Sequence, residues 1–111
     1  DIDLCVSLRL LLQDRYRIVT TTDATILLTI VHSFQPNLVI LDGLPIEMVR
    51  RRFEKMKKEN PRLRIMFFYA SYFYNRWTHT LVREMVDAAF SKPLDLVEVL
   101  ESIRGLVAQH A

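Results

Sequence analysis

Cysteine is scarce in this 111-residue chain. It occurs once, at Cys5, so no disulfide can form within the chain. A lone cysteine is typical of a reducing compartment, and we expect the protein to be cytoplasmic. Long hydrophobic runs are missing as well. No apolar stretch reaches the roughly 18 residues that a membrane-spanning helix requires, so no membrane partner is expected.

Glycine and excess charge of one sign are also scarce. The two glycines form no phosphate-binding loop, and four prolines provide most of the chain breaks. The net charge of +2 is too small to argue for nucleic-acid binding. Half of the residues are hydrophobic and a quarter are charged, which is a globular composition. We therefore expect one domain over residues 1–111.

The spacing of apolar residues predicts alternating helices and strands. Helices are predicted over about 3–14, 22–34, 46–59, 74–85 and 94–109. Strands are predicted over about 16–20, 38–41, 64–69 and 88–90. Such alternation with short connections indicates an α/β fold with an open, doubly wound parallel sheet.

Three chemically suitable segments fall where predicted strands end. Asp42 follows Leu38–Leu41, a continuous apolar run typical of a strand buried on both faces of a parallel sheet. Tyr69–Ser71 and Lys92 end the next two strands. In doubly wound sheets the functional crevice lies beyond the carboxyl ends of the strands. The residues alone leave three roles open for Asp42 and Lys92: a divalent-cation site, a phosphoryl-transfer site, or a salt bridge between loops.

Two segments resemble those of a known family. Pro36–Asp42 reads PNLVILD and resembles the PDLVILD segment of bacterial response-regulator receiver domains. Ser91–Asp95 reads SKPLD and resembles their xKPFD segment, and the separation of 50 residues (92 − 42) between Asp42 and Lys92 is typical of the family. The resemblance covers essentially the whole chain. It implies a flavodoxin-like fold with three α/β/α layers.

The resemblance also implies a function. Receiver domains accept phosphate from a histidine kinase or phosphotransfer protein, and they are not classed as enzymes. Asp42 matches the phosphoacceptor and Lys92 the lysine that pairs with the phosphorylated form. Mg²⁺ is the usual cofactor, with Asp42, Asp1 and the backbone carbonyl of Leu44 as its matching ligands. The signal would pass through the fourth helix, last strand and last helix to an output domain, a partner protein or a second copy.

The sequence also departs from the family pattern. The family's first strand, usually central in the sheet, would precede Asp1, so the strand is truncated here and we expect further residues before Asp1 in the native protein. The loop after Asp42 is one residue short. The usual hydroxyl position holds Tyr69 or Ala70, and only Ser71 could supply a small hydroxyl. These departures support an alternative, a pseudo-receiver that acts as a phosphorylation-independent interaction or dimerisation module.

Two further clusters have less specific interpretations. The basic residues between 50 and 64 are interrupted by Glu54 and Glu59, so we expect a solvated helix face and no direct nucleic-acid binding. Aromatic residues crowd positions 69–77, where some are expected in the core and others on a partner surface.

Overall fold

The computed structural model describes residues 17–73 and 75–108, apart from the side chains of Phe73, Trp77, Arg83 and Ala108. The predicted helix over 3–14 and the residues Asp1 and Cys5 lie outside the described residues. None of the helices in the described ranges is both long and apolar enough to cross a membrane.

The described residues form one four-stranded parallel sheet. In chain order, and also in spatial order, its strands are β1 (Ile18–Thr21), β2 (Leu38–Asp42), β3 (Arg64–Ala70) and β4 (Ala88–Lys92). Each lies within two residues of its predicted bounds. Because the strands run parallel, their carboxyl ends all meet at one edge of the sheet.

Helices connect consecutive strands, as the alternation predicts. The described helices are α1 (Leu27–Phe34), α2 (Glu47–Glu59), α3 (Arg76–Thr80) and α4 (Leu96–Ala108). A 3₁₀ turn, Ala24–Ile26, leads into α1, and another, Ser71–Phe73, follows β3. The helix predicted over 74–85 is divided: after α3 the chain continues as a π-helical turn, Leu81–Met85.

Helices cover both faces of the sheet. Val39, Leu41, Ile65 and Phe67 face α1, α2 and the π-helical turn, while the alternate strand residues face α4. Every residue of β2 is buried, which confirms that its apolar run is a strand covered on both sides. Two helical layers with a parallel sheet between them confirm the doubly wound, flavodoxin-like class.

The sheet has no gap between β1 and β2. Ile18 pairs with Leu38 and Thr21 with Leu41. The family resemblance implies another strand in the middle of the sheet, but these two strands pair directly in the described residues. The expectation of further chain before Asp1 stays a prediction.

Side-chain caps define where helical segments begin. Asp23 accepts hydrogen bonds from the side chain of Thr25 (2.6 Å) and from its backbone N–H (2.9 Å). These hydrogen bonds, mainly the one from the side chain, lower the pKa of Asp23, and the charge of Arg52 adds to them. A lowered pKa means that the cap stabilises the fold above the ordinary pKa of Asp. That stabilisation is lost as the pH falls through the lowered value.

A reciprocal pair of hydrogen bonds begins α3. The Asn75 N–H donates to Thr78 Oγ1 (3.2 Å), and the Thr78 N–H donates to Asn75 Oδ1 (3.1 Å). We expect Asn75→Ala to lower the free energy of unfolding by about 1 kcal/mol, as measured by urea denaturation, because the cap is lost. Ser33→Ala is the control, since Ser33 lies exposed at the end of α1 and should change stability by less than about 0.5 kcal/mol. Equal effects of the two variants would contradict this assignment of the cap.

Candidate functional site

Asp42 is a buried carboxylate at the carboxyl edge of the sheet. It is the last residue of β2, lies in register with Phe68 of β3, and is 6% exposed. The next residue, Gly43, donates its backbone N–H to the Phe68 carbonyl (3.1 Å), so β2 stays paired just beyond Asp42. A charged side chain this deeply buried needs a compensating partner.

Lys92 supplies a partner. It is the last residue of β4, and its Nζ lies 2.6 Å from Asp42 Oδ1. The Asp42 side chain is 5% exposed and that of Lys92 is 31% exposed, so the pair opens to solvent on the lysine side. Two side chains that lie 50 residues apart in sequence therefore meet at one point.

Strand β3 lies between Asp42 and Lys92, and it ends in a small residue, Ala70, at the point where the two side chains approach each other. Lys92 is in register with Ala70, and paired residues of parallel strands point to the same face of the sheet. Since the Lys92 side chain must cross β3 to reach Asp42, the small side chain of Ala70 beside it is favourable for the contact.

The register also places the three residues considered for the hydroxyl position. Tyr69 faces the opposite side of the sheet, where its ring stacks on Phe67 with centroids 5.7 Å apart. Ala70 occupies the position beside Lys92. Ser71 is exposed and begins the 3₁₀ turn after β3, and its predicted role stays a prediction. The face that holds Asp42 and Lys92 thus has alanine where the family resemblance implies a hydroxyl.

The loop after Asp42 is a tight turn. The Leu44 carbonyl accepts a hydrogen bond from the Ile46 N–H (3.0 Å), with Pro45 between them. Leu44 is 46% exposed and Pro45 is buried. A carbonyl oxygen has two lone pairs, so the Leu44 oxygen keeps capacity for another partner.

The oxygen donors for a cation that the described residues supply at this edge are few. In the ranges that the structure describes, no three His, Cys, Asp or Glu side chains group closely enough to hold a metal ion. Mg²⁺ commonly binds one or two carboxylates and keeps several waters. The Asp42 carboxylate and the Leu44 carbonyl are oxygen donors of the kind that Mg²⁺ prefers, while Asp1 lies outside the described residues.

A second ionic cluster, which the sequence analysis did not identify, lies at the opposite edge of the sheet. Asp87 Oδ2 accepts hydrogen bonds from Lys57 Nζ (2.7 Å) and from the Ile65 N–H (2.7 Å). Its Oδ1 lies 3.6 Å from Arg64 Nη1. This cluster joins the end of α2 to the starts of β3 and β4. A lone aspartate before a short strand carries no sequence signal for such a role.

The aromatic residues between positions 69 and 77 are partly exposed, as expected. Tyr72 is 82% exposed on the turn after β3, while Tyr69 is half-buried. An exposed aromatic near the candidate site is compatible with a partner surface there.

Solved structures supply the decisive comparison. NtrX from Brucella abortus matches with a TM-score of 0.75 and 18% identity, over 98% of this chain and 24% of NtrX. The N-terminal domain of the nisin resistance regulator NsrR, a lantibiotic response regulator, matches with a TM-score of 0.72 and 18% identity, over 96% of this chain and 91% of that one. The chain has the receiver fold of response regulators.

The likeness lies in the fold, since no protein-family model and no curated protein matches the sequence. The chain spans about a quarter of the length of NtrX and most of the NsrR domain. In a receiver fold, the carboxyl edge that holds Asp42 and Lys92 is where an open α/β sheet binds its ligands.

Proposed function

We propose that this chain is a signal receiver domain that accepts a phosphoryl group on Asp42 from a histidine kinase or a phosphotransfer protein. The observation that carries the proposal is the 2.6 Å contact between Lys92 Nζ and Asp42 Oδ1 at the carboxyl edge of a receiver-type sheet. The Asp42 carboxylate is a nucleophile and the Lys92 ammonium is a cation beside it, and this combination suits phosphoryl transfer.

The transfer forms one bond and breaks one bond. A carboxylate oxygen of Asp42 bonds to phosphorus as the bond from phosphorus to the donor imidazole nitrogen breaks. The electron pair of the broken bond stays on that nitrogen, which then takes up a proton. The product is an acyl phosphate, and water later cleaves it to release inorganic phosphate and restore the carboxylate.

Lys92 stabilises the charge that moves onto Asp42. Phosphoryl transfer depends mainly on positioning and on fixed charges, because the phosphoryl oxygens carry negative charge throughout. The lysine Nζ, already within hydrogen-bond distance of the carboxylate, can follow the phosphoryl oxygens as they arrive. Its partial exposure leaves it free to make that small movement.

Mg²⁺ is proposed as the cofactor. The Asp42 carboxylate, the Leu44 carbonyl and Asp1 would hold it, and it would neutralise charge on the phosphoryl oxygens. The same proposal has three further parts. The protein is cytoplasmic and is not an enzyme. The signal passes through α3, β4 and α4 to an output domain or a second copy.

A pseudo-receiver remains the second candidate, and one observation favours it. Alanine, at Ala70, stands beside Lys92 where a hydroxyl would be expected. In this case Asp42→Ala would leave partner binding and oligomeric state unchanged, since the aspartate would only be a part of the fold.

Phosphorylation with a small-molecule donor tests the proposal. We expect the wild-type chain, incubated with a phosphoramidate or acyl-phosphate donor and Mg²⁺, to gain the mass of one phosphoryl group in intact-mass spectrometry. Asp42→Asn should gain none, because an amide is a poor nucleophile toward phosphorus.

Asp95→Asn is the matched control. Asp95 accepts a hydrogen bond from the Val97 N–H (3.0 Å) before α4, and asparagine replaces aspartate well in such a cap. This variant should gain the phosphoryl mass as the wild type does. No adduct on the wild type, or an undiminished adduct on folded Asp42→Asn, would contradict the proposal.

A further inference from the structure

A groove runs along the outer seam between α1 and α2, away from Asp42. One depression of about 390 Å³ is lined by Leu28, Glu47, Met48, Arg51, Arg52 and Lys55. A neighbouring depression of about 300 Å³ shares Leu28 and Lys55 and extends to His32 and Glu59. Together they form what we call the α1–α2 groove. From Met48 to Glu59 it follows α2 for about 16 Å, or three helical turns.

The floor of the α1–α2 groove is apolar and accessible. Met48 is 37% exposed and Leu28 is half-buried, and both contribute to the lining. Ile26, 42% exposed, lies just before α1. Apolar side chains gathered in a concave site favour a partner that brings apolar side chains of its own.

The walls of the groove are basic, and part of that charge is uncompensated. Arg51 is 70% exposed and lies 3.3 Å from Glu47, while Arg52 donates to the Thr25 carbonyl (3.1 Å) and so ties α2 to the start of α1. Lys55 forms no hydrogen bond or ion pair with any described residue. Lys55 belongs to both depressions, so the free cation lies where they join.

We propose that the α1–α2 groove binds an acidic amphipathic helix of a partner protein. Apolar side chains of that helix would pack on Leu28 and Met48, and its carboxylates would pair with Lys55 and Arg51. A helix presents such residues at i, i+3, i+4 and i+7, which matches the three turns of α2 along the groove. This inference goes beyond the proposed phosphoryl transfer and does not depend on it.

A protein helix suits the groove better than nucleic acid does. A phosphate backbone carries no apolar side chains to cover Leu28 and Met48. Glu47 and Glu59 also lie in the lining, and both would repel a continuous row of phosphates. A helix can place carboxylates only opposite the cations and leave neutral residues opposite the glutamates.

Binding of a designed probe tests the inference. The probe is a fluorescent, helix-forming peptide with leucines on one face and glutamates beside them, measured by anisotropy against the whole chain. We expect Lys55→Glu to weaken binding about tenfold, which corresponds to about 1.4 kcal/mol. Met48→Gln should weaken it several-fold through loss of apolar contact. Arg62→Glu, the same change of charge at an exposed position outside the groove, should stay within about twofold of the wild type.

Several outcomes would overturn the inference. One is an equal loss of peptide affinity in Lys55→Glu and Arg62→Glu. Another is undiminished binding of a peptide that has serine in place of leucine. A third is binding of duplex DNA but not of the peptide. Self-association in sedimentation velocity that Lys55→Glu abolishes would assign the groove to a second copy and also overturn it. Asp42→Asn should bind the probe like the wild type, so failure here is separable from failure of the phosphoryl-transfer proposal.

Discussion

Replacing Asp87 by alanine is expected to lower the free energy of unfolding by about 3 kcal/mol. The change leaves the Ile65 N–H, Lys57 and Arg64 without the carboxylate that joins them. Lys57 and Arg64 are each 26% exposed, so solvent replaces their lost contact only in part. Removing the shared partner of such a partly buried set of charged hydrogen bonds costs about 3 kcal/mol in total, less than the sum for three fully buried bonds. Urea denaturation measures the change.

Glu54→Gln is the control for this prediction. Glu54 pairs with Arg50 at 2.8 Å, a distance close to that of Lys57 to Asp87, but its side chain is 58% exposed. Exposed pairs within a helix contribute roughly 0.3–0.5 kcal/mol. If Asp87→Ala destabilised the chain no more than Glu54→Gln, the cluster would not join α2 to the two strands as described.

Replacing Lys92 by methionine is expected to lower the free energy of unfolding by about 2 kcal/mol. Asp42 would keep its buried carboxylate without the cation that now lies 2.6 Å away. Breaking a fully buried pair costs about 3–5 kcal/mol, and the 31% exposure of Lys92 reduces that value because solvent screens the pair. Methionine keeps most of the length of the lysine chain, so the change is mainly one of charge.

A double-mutant cycle separates this interaction from general damage. We expect Asp42→Asn combined with Lys92→Met to be more stable than the sum of the single changes predicts, by about 1 kcal/mol or more. Arg51→Met serves as the control, because Arg51 pairs with Glu47 at 3.3 Å but is 70% exposed. Additive effects of the two site substitutions would contradict an energetically coupled pair.

Much of the architecture could be predicted because burial leaves a pattern in the sequence. The apolar run before Asp42 predicted a strand buried on both faces, and all of β2 is buried. The π-helical turn at Leu81–Met85 could not be predicted, since an i→i+5 backbone bond, here from the Val86 N–H to the Leu81 carbonyl (3.2 Å), has no side-chain signature. The direct pairing of β1 with β2 could not be predicted either, because the order of strands in a sheet depends on tertiary packing.

The sequence predicted Asp42 and Lys92 as members of the candidate site, but it did not predict which residue of β3 lies between them. Asp42 and Lys92 stand out because each ends a strand, and parallel strands bring such residues to one edge. Which of Tyr69, Ala70 and Ser71 lies beside Lys92 depends on the register of β3 against β4. A shift of one residue exchanges the faces of a strand, and sequence spacing alone does not fix that register.

The most direct test of the central claim locates the phosphoryl group on the chain. After incubation with the donor and Mg²⁺, reduction with borohydride converts a phosphorylated aspartate into homoserine, and peptide mass mapping identifies the position. We expect conversion at Asp42 alone, and none in Asp42→Asn. Conversion at another carboxylate, or a wild-type chain that carries no acyl phosphate at all, would contradict it.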